Sequence, residues 1–210
     1  MKRFAHLILI AFLTATSCSK KGGPELDSIV IGSTKYLTVK VGTQTWTAVN
    51  YNGPGGVNYG GSNTNDPTYG KLYTHAEAAA VVLPAGWHVP SMDDYNQLFI
   101  SAGGIAINQT TEESPQVTVT LMSKATWSLD GGTDITGWNA TAGGLYVEAD
   151  PPSYFDKGNR ATFLTSSYLP NNVRAANVYF NGGGSDSTIG VGGFASDDTG
   201  RGSVRFVKDN

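Results

Sequence analysis

The sequence predicts an α+β domain in which two helices flank an antiparallel sheet with long polar loops. Three observations carry this expectation. An alternating run, a tight turn and a second alternating run open the domain at residues 36–49. Two segments with paired helix-capping signals follow at residues 74–104. The remainder is a series of short strand-like runs separated by Gly-, Ser-, Asn- and Asp-rich turns. Composition agrees: 15% of residues are charged and 27 are glycine, a mix suited to short strands and many turns.

Met1-Lys2-Arg3 is basic, residues 4–13 are almost wholly apolar, and Ala15-Thr16-Ser17 supplies small residues before Cys18. That order predicts a secretory signal over residues 1–17 with a lipoprotein-type cleavage site. The apolar run is too short to cross a bilayer. The expected product begins at Cys18 with lipid on its sulfur; cleavage without lipidation is the alternative. Residues 18–28 read as a polar tether, and residues 29–210 as one domain long enough for a full core. Cys18 is the only cysteine, so the domain is expected to have no disulfide. The whole chain carries a net charge of −3, and loss of Lys2 and Arg3 leaves 12 basic against 17 acidic residues, a net charge of −5. That balance argues against a nucleic-acid-binding face.

Residues 36–41 alternate, Gly42-Thr43 can turn, and residues 44–49 alternate again, which predicts a hairpin. Residues 51–70 read as a Gly-, Asn- and Tyr-rich loop. Thr74 and Glu77 form a capping box that opens the first helix. Ala76, Ala79, Ala80 and Leu83 are expected to pack on the sheet as a stripe of small residues, with Pro84 ending the helix. Ser91 caps the second helix, and Asp93 and Asp94 occupy its first turn, where the dipole favours negative charge. Met92, Tyr95, Leu98, Phe99 and Ala102 form its expected buried face, and Gly103-Gly104 stops it. Strands are expected over residues 116–122, 142–147, 160–164, 176–180 and 203–207.

Four ordered motifs resemble one family. Tyr69-Gly70-Lys71-Leu72-Tyr73 followed by residues 83–91 (LPAGWHVPS) is similar to the core signature of the Fibrobacter succinogenes major paralogous domain family. Val41-Gly42-Thr43-Gln44-Thr45-Trp46 resembles its opening hairpin. Gly137-Trp138-Asn139-Ala140 with Gly143-Gly144 resembles its "GFNA…GG" element, and residues 203–209 (SVRFVKD) its closing strand. Phe206 stands where many members carry cysteine. The resemblance covers about residues 35–209. It implies a C-type-lectin-like fold and an exported protein of the kind found in Bacteroidetes, often a lipoprotein, and it implies no particular activity.

His88, beside the Ser91 cap, could serve as a base or metal ligand, and the expected role is to fix the cap. His75 has no evident partner in the sequence. No nucleophile-elbow pattern surrounds any serine. Formylglycine-generating enzymes share the broader lectin-like fold but need a reactive thiol, which the mature chain lacks. Trp46, Trp87, Trp127 and Trp138 fall in or near motifs and are expected in the core. Asp130, Asp134, Asp186, Asp197 and Asp198 lie in polar turns, yet the compact Glu-Pro-Asn and Trp-Asn-Asp signatures of calcium lectins are absent, so neither calcium nor another metal is expected. Asp186-Ser187-Thr188 is similar to a Bacteroidetes O-glycosylation acceptor.

Ligand contact is expected in the later region, at Tyr146, Tyr154, Phe155, Asp186 and Asp197. Tyr154-Phe155 follows Pro151-Pro152 in what reads as a loop, where an aromatic pair has no strand face to fill. The expected protein is a lipid-anchored outer-membrane binding or adhesion module without catalysis, taking a glycan or a protein, and facing either the surface or the periplasm. A structural or fimbria-associated envelope subunit is the alternative, and an envelope hydrolase the third reading.

Overall fold

The structure is a computed structural model that describes residues 27–108, 115–129, 131–149, 151–170, 175–182, 186–195 and 199–210. Cys18 and the signal and tether residues through 26 therefore lie outside the described residues, as do Asp130, Asp197 and Asp198.

The chain begins with β1 (Ser28–Ile31), β2 (Thr34–Val41) and β3 (Gln44–Thr47), an antiparallel meander. Gly42 turns the β2–β3 hairpin at φ 60°, a conformation that costs glycine little. Next come α1 (His75–Ala79), the short β4 (Trp87–His88), α2 (Met92–Ser101) and α3 (Pro115–Leu121). The later half holds β5 (Leu145–Val147), β6 (Ser153–Phe155), β7 (Arg160–Tyr168), β8 (Ala175–Asn181), β9 (Thr188–Phe194), β10 (Gly200–Arg201) and β11 (Val207–Asp209). Among the described residues the strands form three sheets, in the orders β1-β2-β3-β11-β4, β10-β5-β6 and β7-β8-β9. The last strand thus returns to lie between β3 and β4. The α+β expectation holds, with β-structure predominating.

Both capping boxes form. Thr74 Oγ1 accepts from Glu77 N–H while the Glu77 carboxylate accepts from Thr74 N–H. Ser91 and Asp94 are paired the same way. Tyr95, Leu98 and Phe99 of α2 are buried, with Met92 and Ala102 packed beside them. In α1 the stripe faces the wrong way. Ala76, Ala79 and Ala80 are exposed, while His75 and Ala78 are buried and the helix stops at Ala79, before Leu83. The buried His75 faces β8 instead: its Nε2 lies 3.0 Å from the Ala176 carbonyl, so this histidine has the partner its sequence setting did not reveal.

Of residues 116–122, expected as a strand, all but Met122 lie in the helix α3 (Pro115–Leu121). Val117, Thr118 and Leu121 are buried, a spacing that suits one helical face, and Pro115 at the first turn has a fixed φ ready for a helix. β-branched residues lower helix propensity only slightly, and packing decides the outcome here. Residues 188–194, within a segment that reads as loop, form β9 and pair with β8 over seven residues.

The core has two aromatic centres. Trp46, Tyr95, Phe99, Trp138, Phe163 and Phe180 form one; Trp138 stacks on Phe180 with centroids 5.6 Å apart and meets Trp46 edge-on at 5.7 Å. Tyr36, Tyr51, Tyr73 and Phe206 anchor the other. Of the motif tryptophans, Trp46, Trp127 and Trp138 are buried, as expected. Trp87 is only half-buried at the edge of the second centre, which corrects its placement in the core.

Candidate functional site

Arg205 explains why the sequence motifs occur together. Its side chain is fully buried. Nε donates to Asn50 Oδ1 at 2.6 Å, Nη1 to the carbonyls of Thr47 and Trp138, and Nη2 to the carbonyl of Asn139 at 2.8 Å. The guanidinium also lies 5.0 Å from the Trp138 ring. Asn139 presents its carbonyl because its backbone is left-handed, φ 58°, a region asparagine tolerates. Its N–H is held by Asp134 Oδ1 at 2.8 Å. Burial lowers the Arg205 pKa to about 9, and a fork of neutral acceptors holds its charge at neutral pH. The closing strand, the Gly137–Ala140 motif and the end of the opening hairpin are tied at this one group.

His88 has the structural position expected of it. Its Nε2 lies 3.2 Å from Asp94 Oδ2, the oxygen that also accepts from Ser91 Oγ at 2.6 Å, and Gln44 Nε2 donates to the other Asp94 oxygen at 2.9 Å. Among the described residues no group of three or more His, Cys, Asp or Glu side chains could hold a metal ion.

The candidate ligand residues divide. Tyr146 and Tyr154 are register partners across β5 and β6, with rings 4.9 Å apart. Tyr154 and Phe155 therefore sit on a strand and not in a loop, and alternation sends them to opposite faces. Phe155 is 44% exposed on the other side. Tyr146 is 8% exposed and supports Tyr154 from below, its hydroxyl donating to Glu148 Oε2 at 3.0 Å. Partial burial first, and the Glu148 carboxylate second, raise its pKa. Asp186 is exposed at the entry to β9, in a different sheet. Asp197 lies outside the described residues.

The 51–70 loop and the turn at Lys157 add further partners. Tyr59 packs on Tyr154 with centroids 5.2 Å apart, extending the row from Tyr146. Beyond Tyr59 the ammonium of Lys157 lies 5.6 Å from the Tyr59 ring centre and 4.1 Å from that of Tyr69. Asp66 Oδ2 is 3.7 Å from the same ammonium. Asn58, Tyr59, Asp66, Tyr69 and Lys157 line a cleft of about 460 Å³, within the range of about 300–1,000 Å³ typical of ligand sites.

Local chemistry builds this cleft. Val57 and Leu72 exchange backbone hydrogen bonds of 2.8 and 2.9 Å and close the loop at its neck. Within it, Asn58 Nδ2 donates to the Ser62 carbonyl at 2.7 Å, and Asp66 Oδ1 accepts from Thr68 N–H at 3.0 Å. Gly70 has φ 71°, and a Cβ there would come within 2.8 Å of Asn50 Cβ and the Tyr51 carbonyl, so this position admits only glycine. Lys157 follows Asp156, whose φ is 61°, in a turn closed by Arg160 N–H to the Asp156 carbonyl at 2.8 Å. The signals in the sequence are Tyr59 and Tyr69 of the 51–70 loop and a lysine in a turn; their convergence is a product of the fold.

No curated protein and no solved structure matches the chain. The family model of the Fibrobacter succinogenes major domain matches residues 39–208, a span that includes the hairpin, the capped helices, the Arg205 centre and the tyrosine cleft. The chain belongs to the Fibrobacter succinogenes major domain family.

Proposed function

We propose that this protein is a lipid-anchored outer-membrane binding module with a C-type-lectin-like domain, which holds a glycan or protein ligand at its tyrosine-lined cleft and catalyses no reaction. The observation that carries the reading is the row Tyr146–Tyr154–Tyr59 running into the Lys157–Asp66–Tyr69 corner. Half-buried rings such as Tyr59 and Tyr154, beside polar groups with unspent hydrogen-bonding capacity, are the usual material of binding hot spots, and the buried Tyr146 supports them. The return of β11 to the opening hairpin, with helices and long loops between, supports the lectin-like fold. The basic, apolar, small-residue order ending at Cys18 supports the anchor. No helix among the described residues is long and apolar enough to cross a membrane, and several acyl chains at about 0.8 kcal/mol per buried methylene would hold the protein there.

Fractionation tests the anchor. Wild-type chain is expected in the membrane fraction, and Cys18→Ser in the soluble fraction or as uncleaved precursor. Wild-type protein wholly in the soluble fraction overturns it. Protease treatment of intact cells then distinguishes surface from periplasmic exposure. Binding of the full chain to intact cells or extracellular matrix, lost on Tyr59→Ala with the fold retained, tests the module itself.

A further inference from the structure

We infer that the cleft takes a neutral saccharide, with a sugar ring laid on Tyr59, which Tyr154 backs, and adjacent hydroxyls held by Lys157 and Asp66. This rests on the binding reading above and narrows it to one ligand class. The decisive geometry is the Lys157–Asp66 pair. At 3.7 Å the two groups are beyond hydrogen-bond distance, and both are partly exposed, with side-chain exposures of 32% and 46%. Among the described residues, Lys157 Nζ has no hydrogen-bond acceptor; what holds it is the ring of Tyr69 at 4.1 Å and the long contact to Asp66. Asp66 spends one oxygen on the Thr68 N–H and leaves Oδ2 toward the ammonium.

A donor with three N–H groups and an acceptor oxygen thus face the same space. A hydroxyl both donates and accepts, so one hydroxyl can accept from Lys157 and donate to Asp66, and a vicinal pair can do so side by side. A carboxylate ligand would satisfy Lys157 but meet Asp66 with like charge, and a cationic ligand would meet the ammonium already seated on the Tyr69 ring. A neutral polyol satisfies both. The apolar C–H face of a sugar ring needs an aromatic partner, and Tyr59, in the cleft lining and backed by Tyr154 at 5.2 Å, offers one beside the polar corner. The cleft's volume of about 460 Å³ has room for a short oligosaccharide.

The test uses the full chain on an array of defined neutral and uronic-acid oligosaccharides, with a duplicate array treated with mild periodate to cleave vicinal diols. Binding to neutral oligosaccharides is expected, lost on the periodate-treated copy. Tyr59→Ala and Lys157→Met are each expected to weaken it at least tenfold. Phe155→Ala, on the other strand face, is expected to leave it within twofold. Circular dichroism and melting confirm that each variant is folded, and Lys157→Arg is expected to restore part of the signal in a chain that melts like wild type. Binding confined to acidic saccharides, binding that survives periodate, binding unaffected by both cleft variants, or no signal on any neutral saccharide overturns the inference. Attachment to intact cells that resists periodate but is destroyed by protease would overturn the saccharide while leaving the binding module standing. No attachment to cells or saccharides would overturn both.

Discussion

The Arg205 centre and the tyrosine cleft use similar residues under opposite conditions. Both place a cation over aromatic rings: Arg205 lies 5.0 Å from Trp138, and Lys157 lies 4.1 Å from Tyr69. In the centre each guanidinium nitrogen donates to an oxygen, the rings are fully buried, and the partners come from the Gly137–Ala140 motif and from Thr47 and Asn50 just beyond the opening-hairpin motif. In the cleft the cation is half-exposed and its donors are unspent. Burial without partners is expensive, so the first arrangement has one solution and serves stability. Exposure makes unspent donors cheap, and the second arrangement is available to a ligand. The same chemistry is structural or functional according to whether water can reach it.

The comparison is broken most severely at Arg205. Arg205→Met removes four hydrogen bonds and strands Asn50 Oδ1 and three buried carbonyls, at about 1–3 kcal/mol for each group left unsatisfied. A loss of about 4 kcal/mol or failure to fold is expected in urea titration, and Arg205→Lys should rescue little because an ammonium cannot reach acceptors on both sides of the fork. A loss below about 1 kcal/mol would show that the motifs are not held together through this group. Trp138→Ala, beside it, should cost about 3–5 kcal/mol. Trp87→Ala, at a half-buried site, should cost clearly less, and equal losses would erase the distinction between centre and rim.

Alkaline titration separates buried from exposed tyrosines. Burial raises the hydroxyl pKa of Tyr73 and of Tyr95, both fully buried, well above the usual value of 10. Their contribution to stability is intact below pH 10, where the unfolded hydroxyls are also protonated, and falls as pH rises further, by about 1.4 kcal/mol per pH unit for each group. Arg205 works in the opposite sense above pH 9, but one guanidinium is outweighed because burial raises Tyr36 and Tyr51 as well. Stability measured by urea titration should therefore drop between pH 10 and 11. A rise over that interval would reverse the assignment.

Ser91→Ala should cost about 1 kcal/mol, the usual value of a helix cap, since Asp94 keeps its contacts with Ser91 N–H, Gln44 and His88. The smallest effect on stability is expected at the cleft. Tyr154→Ala should shift the denaturation midpoint by less than about 1 kcal/mol while weakening ligand attachment. A large loss of stability would make Tyr154 part of the core.

Local signals were legible where one residue decides a local outcome. The Gly42 turn and the Thr74 and Ser91 capping boxes act over three or four residues, and their geometry follows from side-chain chemistry alone. The buried face of α2 was legible because Tyr95, Leu98 and Phe99 are large and regularly spaced. The small residues of α1 misled because alanine marks no face strongly, and His75 carries the packing. α3 was misread because valine and threonine alternate there, and the core selects helix over strand propensity. The cleft was half legible. Tyr146 and Tyr154 are readable as aromatics in the later, Gly- and Ser-rich region, but Tyr59, Asp66, Tyr69 and Lys157 join them only through contacts distant in sequence, which no periodicity records.

Asn50 has a consequence for how such a domain diversifies. Its Oδ1 accepts from Arg205, and its amide nitrogen donates to the Tyr69 carbonyl at 2.8 Å as well as to Thr141 and Ser203. The loop that lines the cleft is thus fastened from beneath through a main-chain oxygen, which every amino acid supplies. The side chain at position 69 is left out of the fastening. A substitution at position 69 therefore alters the surface of the cleft without loosening the mooring beneath it.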